Sequence, residues 1–440
     1  MPLDSRSIPL PYADRFEAAA ADLPGQNLPW LRDLRAAAIE RVRQSGLPTT
    51  RNERWKYTNL KSLAVVAFTP IDSAALPLSS DRLPPATGTC RIVFVNGRYR
   101  ADLSTRTLPE GFSIAGFAAL LEDEPDVLRM ALASACAPDD ALDALNLTFA
   151  RDGYVIRLAP NTAVAAPIEI LQVTTAAENA VASHSRNIVI AGQNSSATIV
   201  DSFTGDGTTV YWSQPVTDIR VGSGATLRHY RDQDEGLRAY HTAATHVRVA
   251  ENGRYDSFVL TTGAALSRNE IAVTLDGPGA SCRLDGGYLA RARQHIDNTT
   301  EIVHASPHTT SVEVYKGVLD DQARGVFQGR IVVAKDAQKS DGHQLNKTIL
   351  LSDRAEIDTK PELEIYADDV KCSHGATAGE LDEDALFYLR ARGIDHADAR
   401  RMLVGAFVSD ALANIADETV RATFERRVGH WMAASLERAV

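Results

Sequence analysis

Four cysteines stand in 440 residues, Cys90, Cys136, Cys282 and Cys372, and no two are close enough to form a C-x-x-C pair. A zinc ribbon and a thioredoxin-type dithiol are thereby excluded. Thiols this sparse argue against a disulfide framework and for a reducing compartment. No Gly-Lys dipeptide occurs, so the chain has no Walker A phosphate loop. Neither G-x-G-x-x-G nor G-x-S-x-G is found, which removes the usual dinucleotide-binding and nucleophile-elbow signals. No run of about 20 apolar residues exists to cross a bilayer. The N-terminal MPLDSRSIPLPYADRFE lacks the apolar centre of a signal peptide. Positive charge is short as well: the net charge is −11, and only eight of the 46 basic residues are lysine. That balance argues against a sequence-independent grip on nucleic acid. The expectation is a cytoplasmic protein that binds neither nucleic acid nor membrane.

What is present falls into three stretches. The first 150 residues are largely helical. Leu31, Leu34, Ala38 and Val42 recur at helical spacing within Pro29–Gln44, and Gly46 and Pro48 act as stop signals. Arg51-Asn-Glu-Arg-Trp-Lys-Tyr-Thr58 follows as a charged run with two aromatics. Residues 69–89, with Pro70, Pro77, Pro84 and Pro85, have a linker composition. Cys90–Val95, Asn96-Gly97 and Arg98–Ala101 read as a hairpin, because Asn-Gly suits a type I′ turn. Helical patterns return over 115–149.

From Gly153 short β-rich runs alternate with turns for more than 200 residues. Turns beginning at Gly192, Gly222, Glu251 and Gly277 each precede a β run, at intervals of roughly 25–30 residues that fit the coils of a β-solenoid. The same pattern fits a sandwich or a double-stranded β-barrel. After Ala376 helices return. Asp382 and Asp395 are N-cap candidates, Gly393 is a stop, and Val420, Phe424, Val428 and Trp431 mark a last amphipathic helix.

Candidate chemistry is concentrated in Pro361-Glu-Leu-Glu-Ile-Tyr-Ala-Asp-Asp-Val-Lys-Cys-Ser-His374. Read as one extended segment with period two, Leu363, Ile365 and Ala367 share one side. Glu362, Glu364, Tyr366 and Asp368 share the other, and Cys372 and His374 continue that polar side. A thiol and an imidazole two residues apart on a strand reach the same ion, and soft thiolate with imidazole suits iron, zinc or copper. Two ligands do not complete a tetrahedral site, so the remainder must come from elsewhere. His241 with His246, and His304 with His308 around Pro307, have poor ligand spacing and read as turn or surface histidines.

The same residues carry a family resemblance. Tyr315-Lys-Gly-Val-Leu, Gly325-Val-Phe-Gln-Gly-Arg-Ile, Asp336-Ala-Gln-Lys, Trp55-Lys-Tyr-Thr and TKPELEIYADDVKCSHGATAGELDEDALFYLRARGI at Thr359–Ile394 resemble the SufB/SufD (SufBD) family of iron–sulfur cluster assembly scaffold proteins. His374-Gly375-Ala376, where SufB chains tend to read His-Glu-Ala, is similar to the SufD side of that family. The resemblance implies a mainly β protein with flanking α: a right-handed parallel β-helix (β-solenoid) core between N- and C-terminal helical segments. The expected divisions are 1–150, 151–378 and 379–440.

It further implies a non-ATPase scaffold that pairs with SufB through the β-helix and with the ATPase SufC through the C-terminal helices. Iron or a transient iron–sulfur cluster shared with SufB would be handled at His374 and Cys372, with nothing tightly bound to the isolated chain. Met402, Leu403, Ala406 and Phe407 are the candidate SufC-facing residues. A homodimer of the isolated chain is compatible with the same scheme. The alternatives are a cupin-like metalloenzyme using His241, His246 and His304, and a carbohydrate-active β-helix enzyme.

Overall fold

From Tyr154 onward the chain lays strands alternately into two sheets. The structure, a computed structural model, describes residues 7–71, 78–132, 140–175 and 177–436. The first sheet holds Tyr154–Leu158, Arg186–Ala191, Val216–Val221, Tyr240–Val249, Leu266–Leu275, His295–His304, Arg324–Val333 and Glu356–Ile365, in that order. The second holds Ile168–Thr174, Ser196–Gly205, Thr226–Asp234, Arg254–Thr261, Ser281–Ala290, Thr310–Leu319, Asp341–Leu350 and Lys371–Gly379. The ladders between these strands are parallel, as between Leu266–Leu275 and His295–His304 or Asp341–Leu350 and Lys371–Gly379. Each coil therefore leaves one of these strands in each sheet, with Val181–Ser183 and Tyr211–Ser213 as short additions to the first, which is a β-solenoid and neither a sandwich nor a barrel. One coil advances from 26 residues (Tyr240 opposite Leu266) to 33 (Val155 opposite Ile188).

A ladder of turns maintains this repeat. Asn161, Asn194, Gly224, Asn252, Gly279, His308 and Lys339 all take the left-handed conformation, with φ from 53° to 73°. The N–H of Asn194 donates to Ser223, that of Gly224 to Glu251 and that of Asn252 to Pro278, at 2.9, 2.9 and 3.0 Å. Each turn is thus tied to the next coil. Glycine and asparagine tolerate this conformation best, which is why they punctuate the sequence.

The strands run longer than the apolar runs suggest. Tyr240–Val249 begins five residues before Thr245, because His241 and Thr242 are buried although polar. Inward side chains such as Ile199, Leu227, Leu284, Phe327 and Ile331 form the core. The Tyr315-Lys-Gly stretch has a packing cause at every residue. Tyr315 lies across Gly286, and Tyr288 lies across Gly317, where a Cβ would sit 2.2 Å from the ring. Lys316 points to the opposite, outer side.

The helical ends cover opposite outer faces. Helix α1 (Pro29–Ser45) and helix α2 (Ala141–Phe149) pack with Leu31, Val42, Leu145 and Phe149 against Ile188, Trp212 and Leu266 of the first sheet. Helix α3 (Glu383–Arg390) packs on α4 (His396–Leu412), which together with α5 (Glu418–Leu436) covers the second sheet. There Val404, Val408, Phe424 and Trp431 meet Tyr230, Phe258, Leu289 and Val318. Asp382 and Asp395 cap α3 and α4 by accepting from Ala385 and Asp398, each at 3.0 Å. Lys316 is buried and donates to Asp410 and, at 2.9 Å, to the Phe407 carbonyl. Arg427 of α5 pairs with Asp232 at 3.0 Å.

Two elements differ from the sequence reading. The Asn96-Gly97 hairpin forms, with φ of 52° and 72°, but its strand Cys90–Val95 also extends the second sheet by pairing with Ile168–Thr174. The proline-rich stretch is tied to the solenoid where it is described: Thr69–Pro70 pairs with Val181–Ala182, and the Thr87 N–H donates to Glu169. Its residues 72–77 lie outside the described residues, as does Cys136. Among the described residues no helix is long and apolar enough to cross a membrane.

Candidate functional site

The last coil is where the solenoid stops. Glu356–Ile365 and Lys371–Gly379 end the two sheets, each with one edge unpaired among the described residues. Unpaired edges of this length are templates for another chain. Ile365 and Tyr366, at the rim, are 43% and 63% exposed.

Cys372 and His374 lie on the terminal strand. Cys372 is opposite Gly342 and His374 opposite Gln344, and both of those partners are buried. The two candidate ligands therefore share the inward face of the second sheet, uncovered because no further coil closes over them. Cys372 is half-buried and touches the core alongside Leu363 and Val370, while His374 is exposed.

This corrects the parity reading across residues 361–374. The extended form breaks after Ile365, a turn intervenes, and Cys372 enters the other sheet. Cys372 thus shares the core side of Leu363, whereas Glu362 and Glu364 face outward, Glu364 pairing with Arg330 at 2.9 Å. The spacing of Cys372 to His374 survives, because both residues belong to one strand.

Burial pushes the Cys372 thiol above its ordinary range, the Gly342 N–H draws it back, and the Asp341 carboxylate raises it further. A thiol so placed needs a metal ion or a partner's positive charge to become a thiolate ligand. Beside it, His343 lies 2.7 Å from Asp341 and 2.6 Å from Ser373 on the outer face. Among the described residues no group of three or more His, Cys, Asp or Glu is arranged to hold a metal ion.

The other histidines are dispersed into local contacts. His241 is buried 2.7 Å from Glu235. His246 pairs with Asp143 at 2.6 Å; burial would lower its pKa, but Asp143 and Asp218 raise it to about 9. His304 sits between Thr309 and Ser311, and burial lowers it to about 4. These contacts give a cupin-like centre no shared set of ligands. Cys90 and Cys282 are buried, with thiols pushed up by burial.

On α4 the four candidate residues divide. Met402 and Ala406 are exposed, whereas Leu403 and Phe407 are half-buried against the second-sheet cluster, with Lys316 4.7 Å above the Phe407 ring. The sequence reading missed Phe387 and Tyr388 of α3, which are 74% and 56% exposed. Two adjacent aromatics between charged residues of a short capped helix were the available signal. It also missed Lys316, whose role depends on a helix about 90 residues later.

Comparison with known proteins agrees with this architecture. Residues 173–407 match the family described as SUF system FeS cluster assembly, SufBD core domain, and residues 7–170 match the SufBD protein N-terminal region. The chain is 30% identical over 393 residues to the iron–sulfur cluster assembly protein SufD of Escherichia coli, covering 89% of this chain and 90% of that one. It is also 30% identical over 393 residues to an iron–sulfur cluster assembly SufBD family protein of Synechocystis, covering 87% and 86%. A chloroplastic protein of Arabidopsis thaliana is 28% identical over 425 residues, covering 94% and 88%.

Proposed function

This chain belongs to the SufBD family of iron–sulfur cluster assembly proteins and stands close to SufD, and from that premise we propose that it is a scaffold half-site. It pairs with a SufB-type chain through the open end of the solenoid. Cys372 and His374 present two donors there to iron or a nascent cluster, as substrate, and the partner supplies the rest. The observation that carries this reading is the position of the two donors: inward-facing, on the last strand, at an uncovered sheet end, with no third ligand gathered around them among the described residues. Thiolate and imidazole suit iron and its clusters, and a site divided between chains can load and release its cargo.

ATP hydrolysis belongs to a SufC-type partner docked on α3 and α4. Movement there would reach the second sheet through Lys316–Asp410 and Arg427–Asp232, which support a mechanical link from the helices to the solenoid. Repacking of the interface at the open end is the switching element.

The test is His374→Ala in the chain co-expressed with its SufB- and SufC-type partners. Cluster content, read from absorbance and iron analysis, is expected to fall at least tenfold while all three chains still co-purify. Unchanged cluster content in the intact complex would overturn the assignment.

A further inference from the structure

The run Arg51–Thr58 has no part in the scheme so far, yet it makes the densest set of polar contacts between the N-terminal region and the solenoid. It crosses the outer face of the first sheet and touches one strand after another. Arg54 pairs with Glu270 on Leu266–Leu275. Trp55 is buried, and its ring lies 3.9 Å from the guanidinium carbon of Arg268, itself buried and paired with Asp297 and Glu270. The Thr58 hydroxyl donates to Asp297 and lies 2.9 Å from His295 Nε2, both on His295–His304. Gln328 of Arg324–Val333 donates to the Arg54 carbonyl at 3.2 Å. Glu53 pairs with Lys360 on the terminal strand Glu356–Ile365. Four successive coils are thus tied by eight residues of chain.

The segment is held at points and does not lie flat. A cleft of about 670 Å³, lined by Arg51, Glu53, Arg54, Asp140, His246 and Glu301 among others, separates it from the sheet between its anchors. Trp55 and Thr58 are the buried anchors, and the Glu53–Lys360 pair, with Glu53 70% exposed, is the end that reaches the terminal coil. That coil has an unpaired edge and a partly exposed inner face; on its outer side Arg324–Asp358 and Arg330–Glu364 tie it to the preceding strand, and Glu53–Lys360 ties it to the N-terminal region.

We propose that Arg51–Thr58 is a strap that holds the last two coils of the first sheet in place, and that Trp55 is a positioning residue for the Cys372–His374 strand. The strap acts on Glu356–Ile365, which leads through a short turn into Lys371–Gly379. A buried guanidinium under an aromatic face is attracted by the ring quadrupole, and this attraction grows when both are desolvated. The part concerning Cys372 and His374 rests on the function proposed above; the hold on the terminal coil does not.

The experiment compares Trp55→Leu and Trp55→Phe in the full chain by hydrogen exchange, and in the co-expressed complex by cluster content. Leucine keeps apolar bulk and loses the ring, and phenylalanine keeps the ring. Trp55→Leu is expected to speed amide exchange at least tenfold over 324–333 and 356–379, with 154–221 unchanged and cluster content reduced severalfold. Trp55→Phe should restore both. Unchanged exchange in the last coils, or an equal rise in every coil, would overturn the strap. Local loosening with wild-type cluster content would overturn only its positioning role, and the His374→Ala result reports separately on the site itself.

Discussion

At the scale of single residues, burial decides chemistry more than residue type does. Glu313 faces the solenoid interior in register with Leu284 and Gln344 and is 1% exposed. Burial pushes its carboxyl up to about 8, although the nearby Thr300 hydroxyl pulls slightly the other way. The native chain therefore holds a proton that the unfolded chain releases at the ordinary value of 4.5. By linkage, its contribution to stability is complete below that value and is lost as pH rises to about 8. Glu313→Gln, which cannot ionise, should flatten this slope, so that its stability relative to the wild type rises between pH 5 and pH 9. Thermal unfolding from pH 5 to 9 measures it, and parallel curves for the two proteins would refute it. The same principle distinguishes the cysteines: Cys90 and Cys282 are enclosed by core, while Cys372 touches core on one side only.

At the scale of elements, a helix must divide its surface between packing and recognition. The inner stripe of α4 is Val404, Val408, Ala411 and Leu412, so Leu403 and Phe407 lie at its margin and Met402 lies outside it. Phe407→Asp would put a charge against the second-sheet cluster and is expected to loosen the module itself. Met402→Asp and Phe387→Asp introduce the charge where side chains are exposed. Each should leave the unfolding midpoint within about 2 °C of wild type, as surface substitutions do, and should abolish co-purification of a SufC-type ATPase. Full retention of the ATPase by both folded variants would remove α3 and α4 as the dock.

At the scale of the whole molecule, each helical end covers the outer face of one sheet, and the end of the last coil stays open. An isolated chain with two long edges unpaired among its described residues is expected to associate through them. Ala378→Lys sets an inward charge on the terminal strand, a device by which sheet edges avoid pairing. Sedimentation at micromolar concentration should show dimer for the wild type and monomer for the variant. Equal behaviour would place any self-association elsewhere. A coil can gather ligands only from its neighbours, and the last coil has a neighbour on one side.

Whatever depends on short-range periodicity and local conformation is legible along the chain. Turns at coil intervals, strand parity within Lys371–Gly379, the Asn-Gly hairpin and the caps Asp382 and Asp395 all rest on residues a few positions apart. The β pattern alone left solenoid, sandwich and barrel open, because strand spacing does not say which strands become neighbours. The packing of the coils sets Cys372 on the core side while Glu362 and Glu364 face out. A turn between two sheets resets the parity that a continuous strand would keep. Packing also decided which side of α4 is free, and that Trp55 rests on Arg268, more than 200 residues away along the chain. Such contacts are fixed by how coils stack and caps dock, and no local spacing encodes them.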